Sequence, residues 1–180
     1  MVRVLSGYMI SPEYYFIYWF LKYYLSPMIA NASPVLVKGI HRIDFSHIFI
    51  DGKPLFGKNK TWEGFYVGVL MGFLTSIGIG IILCEEEYIL IGLGSSIFAL
   101  IGDLLGSFIK RRMNIASGEP LPIIDQLDFA LMATLYYYFL GIEEFISYPL
   151  YILYSLIIIL ALHIITNNIA YYLGVKDKRW

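Results

Sequence analysis

At 180 residues, with 58% hydrophobic residues, a mean hydropathy of +0.68 and only 15% charged residues, the chain is too apolar for an ordinary soluble domain, in which about 25% of residues are charged. Composition implies one all-α, polytopic, membrane-embedded domain over residues 1–180. No dense basic patch with interleaved aromatics stands outside the apolar runs, which argues against a nucleic-acid partner.

The first ten residues carry Arg3 but too short an apolar run for a cleaved signal peptide, so the N-terminus is expected to be retained. Five apolar stretches then approach the roughly 20 residues needed to cross a bilayer. They lie near 12–37, 64–84, 88–109, 127–142 and 147–173. Lys22 interrupts the first and is expected to snorkel, and Pro27 and Pro34 are expected to bend it. In the second, Gly64, Gly68, Gly72, Ser76 and Gly80 recur every four residues. Such a stripe of small residues predicts a packing seam, within the protomer or at a homodimer interface. Glu85-Glu86-Glu87 alone separates the second and third stretches, which predicts a helical hairpin, and Glu143-Glu144 joins the fourth and fifth. Cys84 is alone, which excludes an internal disulfide, and reads as an apolar helix residue.

Orientation follows from the cations. Lys38, Arg42, Lys53, Lys58 and Lys60 lie between the first and second stretches, Lys110, Arg111 and Arg112 between the third and fourth, and Lys176, Lys178 and Arg179 in the tail. These are eleven of the thirteen Lys and Arg residues. The positive-inside rule then places the N-terminus outside and the C-terminus in the cytoplasm of a five-span, multi-pass cell-membrane protein.

The polar residues gather on that cytoplasmic side. Asp103 lies inside an apolar run, where an ionised group costs about 2.5–3.5 kcal/mol or more. In a helix Asp103, Ser107 and Lys110 share one face, with Asp103 about 10 Å below Lys110. An ion pair with Lys110, Lys22 or another cation would explain Asp103 structurally, and a metal or phosphate site would explain it functionally. Asp125 and Asp128 share a helix face if the fourth helix starts near Pro122. Acids at a helix N-terminus are favourable in their own right, but like charges at a bilayer edge call for a cation between them. Hard oxygen ligands suit Mg²⁺, which takes one or two carboxylates, waters and substrate phosphates. His41, His47 and His163 read as surface or packing residues, and no His or Cys cluster offers a zinc site. Asn59 or Thr61 is expected to cap the second helix. The basic loop before it fits either a phosphate site or contact with anionic lipid. Its Gly-Lys-Asn-Lys-Thr lacks the spacing of a P-loop.

Taken together, Lys60-Thr61-Trp62-Glu63-Gly64, Gly102-Asp103-Leu104 with Ser107, Lys110 and Arg111, and Asp125-Gln126-Leu127-Asp128 resemble three segments of the membrane-bound CTP transferases, the phosphatidate cytidylyltransferase family. Leu121-Pro122-Ile123-Ile124 stands where the bacterial pattern has His-Gly-Gly, and Gln126 replaces an Arg. The shorter chain, with Asp51-Gly52-Lys53, Gly57 and Lys58 ahead of the Lys-Thr segment, is similar to the archaeal branch, the CDP-archaeol synthases.

The resemblance implies a nucleotidyltransferase of phospholipid biosynthesis that uses CTP and an unsaturated geranylgeranyl glycerol phosphate diether, an archaeal ether lipid precursor, and releases pyrophosphate. Asp103, Asp125 and Asp128 are expected to hold Mg²⁺. Lys110 and Arg111 are expected on phosphates, with Arg112 beside them. Asn59, Lys60 and Thr61, together with Lys58 and Ser107, are expected to receive CTP, and Trp62 to stack on it or anchor at the interface. Two alternatives differ in chemistry: a CTP-dependent polyprenol- or phytol-type lipid kinase, and a non-enzymatic transporter or scaffold built around a buried ion pair.

Overall fold

The computed structural model describes residues 11–172 and 174. Arg3, and the tail cations Lys176, Lys178 and Arg179 used above for orientation, lie outside the described residues, as does the expected retention of the N-terminus. The chain forms α1 (Pro12–Ala32), a 3₁₀ turn (Ser33–Leu36), α2 (Trp62–Leu83), α3 (Glu87–Arg112), α4 (Ile124–Phe139), the short α5 (Glu143–Ile146) and α6 (Pro149–Tyr172). Among the described residues there is no strand, only the isolated bridges Arg42–Thr61 and Ile48–Pro54 in the long α1–α2 loop. Among the described residues three helices are long and apolar enough to cross a membrane: α2, α3 and the Pro149–Ile169 part of α6. The expected first and fourth stretches are the helices α1, which carries Lys22, and α4, of 16 residues. Pro27 is accommodated inside α1, and Pro34 sits in the 3₁₀ turn that follows it.

Local chemistry sets the helix ends. Thr61 is extended and its hydroxyl accepts the Gly64 N–H at 3.3 Å, so it rather than Asn59 caps α2. Cys84, expected as an apolar helix residue, instead ends α2 in the left-handed conformation at φ 53° and is exposed. The small-residue stripe is an internal seam. A methyl group on Gly68 would meet the Ala30 carbonyl oxygen at 2.9 Å, and one on Gly72 would meet Ser96 Cβ at 2.6 Å and Ala30 Cβ at 2.9 Å. The stripe therefore lets α2 approach both α1 and α3, where a larger side chain would hold them apart.

Lys22 does not snorkel. It is 4% exposed and sits between Glu85 at 2.6 Å and Glu144 at 2.8 Å. Glu144 also accepts from the hydroxyls of Tyr15 and Tyr23, each at 3.0 Å, and Glu85 accepts from Tyr18 at 2.8 Å. Tyr88 donates to the Lys22 carbonyl. An ammonium flanked by two carboxylates and an aromatic wall is better off paired than stretched toward water, because a buried charge without a partner is costly. This node ties α1 to the α2–α3 turn and to α5. Trp19, Tyr23, Tyr24, Tyr137 and Phe145 form the aromatic core around it. The opposite end of the bundle holds the α1–α2 and α3–α4 loops and most of the described cations.

Two stability outcomes follow. Lys22→Met, which leaves Glu85 and Glu144 without their cation, is expected to cost about 3–5 kcal/mol, read as a lower thermal midpoint in detergent. Adding Glu85→Gln and Glu144→Gln should recover most of it. Gly72→Leu should lower the midpoint by overpacking, at about 1–3 kcal/mol. Gly78→Leu, where an added Cβ meets nothing within 4 Å, should not.

Candidate active site

Two segments distant in sequence meet at the cation-rich end. The α1–α2 loop is folded back on itself by Asp44. Its carboxylate is buried and accepts the N–H groups of Ser46 at 3.0 Å and of Phe56 and Gly57 at 3.2 Å each. Burial works to raise the Asp44 pKa, but the three N–H donors, with Arg42 nearby, outweigh it and hold the carboxyl below the usual carboxylate range. Gly57 is at φ +101°, a conformation that favours glycine, and it turns the chain toward Asn59 and Lys60. Glu63 completes the loop: it accepts the His41 N–H and lies 2.6 Å from His41 Nδ1.

The folded loop sets Lys60 on α3, where its ammonium meets both oxygens of Asp103, at 2.5 and 2.6 Å. Of the partners considered from sequence for Asp103, neither Lys22 nor Lys110 takes the place. Lys110 reaches across to α4 and pairs with Asp125 at 2.7 Å. Asp125 also accepts the Leu121 N–H at 2.9 Å, which holds the α3–α4 loop against the helix. Gln126 accepts the Ile123 N–H at 3.1 Å and closes the start of α4.

Between these pairs lies a cavity of about 300 Å³. Asp103, Ser107 and Lys110 line it from α3, together with Asn59 and Lys60 of the α1–α2 loop, Arg111, and Asp125 of α4. The expected face of Asp103, Ser107 and Lys110 is thus a single wall. Arg111 is 7% exposed and its Nε is buried without a hydrogen-bond partner. A guanidinium with an unmet donor beside a cavity is suited to a phosphate, which accepts in the matching forked geometry. Ser117–Pro122 of the α3–α4 loop closes the cavity, and His163 and Asn167, one turn apart on α6, complete its edge. His163, read from sequence as a surface or packing residue, therefore faces the site.

Other expected residues lie elsewhere. Thr61 and Lys58 line an adjoining cavity. Trp62 lines neither; its ring stacks on Tyr66, with centroids 5.8 Å apart. Arg112 is engaged by the loop: its guanidinium lies between Phe49 and Phe108, at 4.9 and 4.6 Å, and its Nε is 3.2 Å from Asp51. Asp128 does not open on the same cavity as Asp125. Its Oδ1 accepts the Phe129 N–H at 2.6 Å, and its other oxygen lies against Gly106. Gly102 and Gly106, one turn apart, bring α3 onto the α4 backbone there: a methyl group on Gly102 would meet the Asp128 carbonyl oxygen at 2.5 Å.

Among the described residues no three His, Cys, Asp or Glu side chains stand together as a ready metal cluster. The donor chemistry nonetheless fits a hard divalent cation. Asp128 is within electrostatic range of both Asp103 and Asp125, and such an ion needs only one or two carboxylates beside water and phosphate oxygens.

A family model described as CarS-like, CDP-archaeol synthase, matches residues 13–180. A CDP-archaeol synthase of Staphylothermus marinus is 99% identical over 176 residues, covering 98% of this chain and all of that protein. One of Sulfurisphaera tokodaii is 39% identical over 173 residues, covering 94% of this chain and 99% of that one. A solved structure of an intramembrane enzyme for archaeal membrane lipid biosynthesis superposes with a TM-score of 0.72 at 31% identity, over 82% of this chain and 90% of that one. The chain belongs to the CarS-like family of CDP-archaeol synthases.

Proposed function

We propose that this enzyme transfers CMP from CTP to an isoprenoid glycerol phosphate diether in the membrane, forming CDP-archaeol and pyrophosphate. Family membership supports the reaction. The observation that supports its location is the cavity where two Lys–Asp pairs and the unmet Nε of Arg111 converge. The helices α1, α2, α3, α4 and α6 are read as five spans. The loops bearing Lys38 to Lys60 and Lys110 to Arg112 face the cytoplasm, in keeping with the positive-inside rule and with the cytoplasmic supply of CTP.

The acceptor is already an anion, so no Ser, Cys or His nucleophile is needed. A lipid phosphate oxygen attacks the α-phosphorus of CTP. A new P–O bond forms as the bond to the β-phosphate oxygen breaks, and pyrophosphate leaves with that electron pair. The obstacle is the approach of two polyanions, and catalysis is chiefly positioning and charge stabilisation. Lys110 and Arg111 hold the triphosphate, Lys60 stands where the two phosphates meet, and Ser107 and Asn59 donate hydrogen bonds. Asp125, by holding Leu121 and Lys110, keeps the α3–α4 loop over the nucleotide. Asp103, Asp125 and Asp128 are the residues that would hold Mg²⁺, which when bound neutralises phosphate charge and stabilises the leaving pyrophosphate. The bilayer supplies the lipid from the side, with its chains against apolar helix faces.

Product analysis in detergent or vesicles separates this reading from its rivals. Pyrophosphate and a CDP-lipid are expected; CDP and a phosphorylated alcohol would mean a lipid kinase, and no CTP turnover a transporter or scaffold. Asp103→Asn, Asp125→Asn and Lys110→Ala should each reduce turnover by about 10²-fold or more, the scale of losing one transition-state charge contact, with the thermal midpoint kept. Near-normal turnover in Asp103→Asn would remove it from the reaction. Stripping divalent ions with EDTA should abolish pyrophosphate release, and Mg²⁺ should restore it.

A further inference from the structure

A second cavity, of about 350 Å³, lies on the other side of the Lys60–Asp103 pair. Both cavities are lined by Pro34, Asn59, Lys60 and Asp103, so this ion pair is the partition between them. Their chemistry differs. Past the partition, the first cavity is lined by Ser107, Lys110, Arg111, Asp125 and Gln126, with the closing loop over them. The second has Lys38 and Lys58 with an apolar lining that includes Val37, Ile43, Phe65 and Leu104. Val35 and Leu36, at 83% and 68% exposure, continue the apolar surface along the 3₁₀ turn beside it.

A cavity that combines ammonium groups with hydrocarbon matches an anion joined to an apolar body. A nucleoside triphosphate has charge, a polar sugar and one flat, hydrogen-bonding base, but no hydrocarbon body. Two other apolar recesses lack the charge complement. The one between α3 and α4 has no Lys or Arg in its lining, so it offers an incoming phosphate no cationic side chain. The one between α1, α4 and α6 offers Asn31, His163 and Asn167 but likewise no Lys or Arg.

We infer that the second cavity receives the phosphate and glycerol end of the lipid acceptor, while the first holds CTP, and that the Lys60–Asp103 pair is the partition across which the two phosphates react. The inference rests on the cytidylyl-transfer reading. Lys60 lines both cavities, so the arriving lipid phosphate competes with Asp103 for one ammonium. Lys38 and Lys58 are then lipid-phosphate contacts and not nucleotide contacts. The apolar lining selects against water-soluble phosphates.

The test measures KM for each substrate separately in mixed micelles. Ile43→Trp, which fills the second cavity, should raise KM for the lipid phosphate at least tenfold with KM for CTP within twofold. Ser117→Trp, at the first cavity, should do the reverse. Lys38→Gln, an exposed position that keeps the fold, should raise lipid-phosphate KM by roughly three- to tenfold and flatten its dependence on salt. Glycerol phosphate, which has the anion without the chains, should compete poorly with the lipid. If Ile43→Trp or Lys38→Gln raises KM for CTP instead, the nucleotide spans both cavities and the inference falls. It falls too if neither variant moves either KM, or if glycerol phosphate competes as well as the lipid. A wild-type protein that makes no CDP-lipid from CTP fails the underlying reading before any variant is compared.

Discussion

The contact between Lys60 and Asp103 is the constraint on which the site depends. A carboxylate on an apolar helix needs a cation, and here the cation comes from a loop 43 positions away in the chain. Satisfying that charge brings the α1–α2 loop down onto α3, and the loop carries Asn59 and Thr61 with it. The second pair, Lys110 with Asp125, does the same for α3 and α4. Electrostatic necessity and site assembly are thus one event, because the groups that neutralise each other in the folded protein are those a pair of phosphates would recruit.

Such pairing leaves the charges available. A fully dry ion pair is hard to open, since each partner would lose its only compensation. The side chains of Lys60 and Asp103 retain 25% and 28% exposure, and both face cavities. Exchange of a carboxylate for a phosphate at Lys60 is therefore a swap between anions and not the creation of an unpaired charge. Arg111 differs: its buried donor has no internal anion to release.

Much of this was legible along the chain. The helical face of Asp103, Ser107 and Lys110 is fixed by local periodicity, and the cap at Thr61 by side-chain chemistry, so both could be read without tertiary information. Which lysine serves Asp103 could not, because the pairing depends on how a long loop folds back. Asp44, the residue that folds it, has only a weak local signal, a carboxylate two residues before Ser46 as in an Asx-turn. Its bonds to Phe56 and Gly57 have no signature at all. The pairing of Lys22 is hidden for a related reason: its flexible stem allows snorkelling, but Glu85 and Glu144 arrive from the α2–α3 turn and from α5. Gly102 and Gly106 were visible within a motif, yet their role in seating α4 appears only when the helices are packed.

The node at Lys22 has a mechanical consequence. It binds α1, the α2–α3 turn and α5 at the end of the bundle farthest from the reacting groups, and Trp19 and Phe145 stack there with centroids 5.0 Å apart. Helices pinned at one end and joined at the other by long loops behave as levers about a common pivot. A small tilt at the pivot becomes a larger separation at the open end, in proportion to helix length. A substitution within the node would therefore be felt at the Lys60–Asp103 and Lys110–Asp125 pairs, at the far end of the bundle, without touching either.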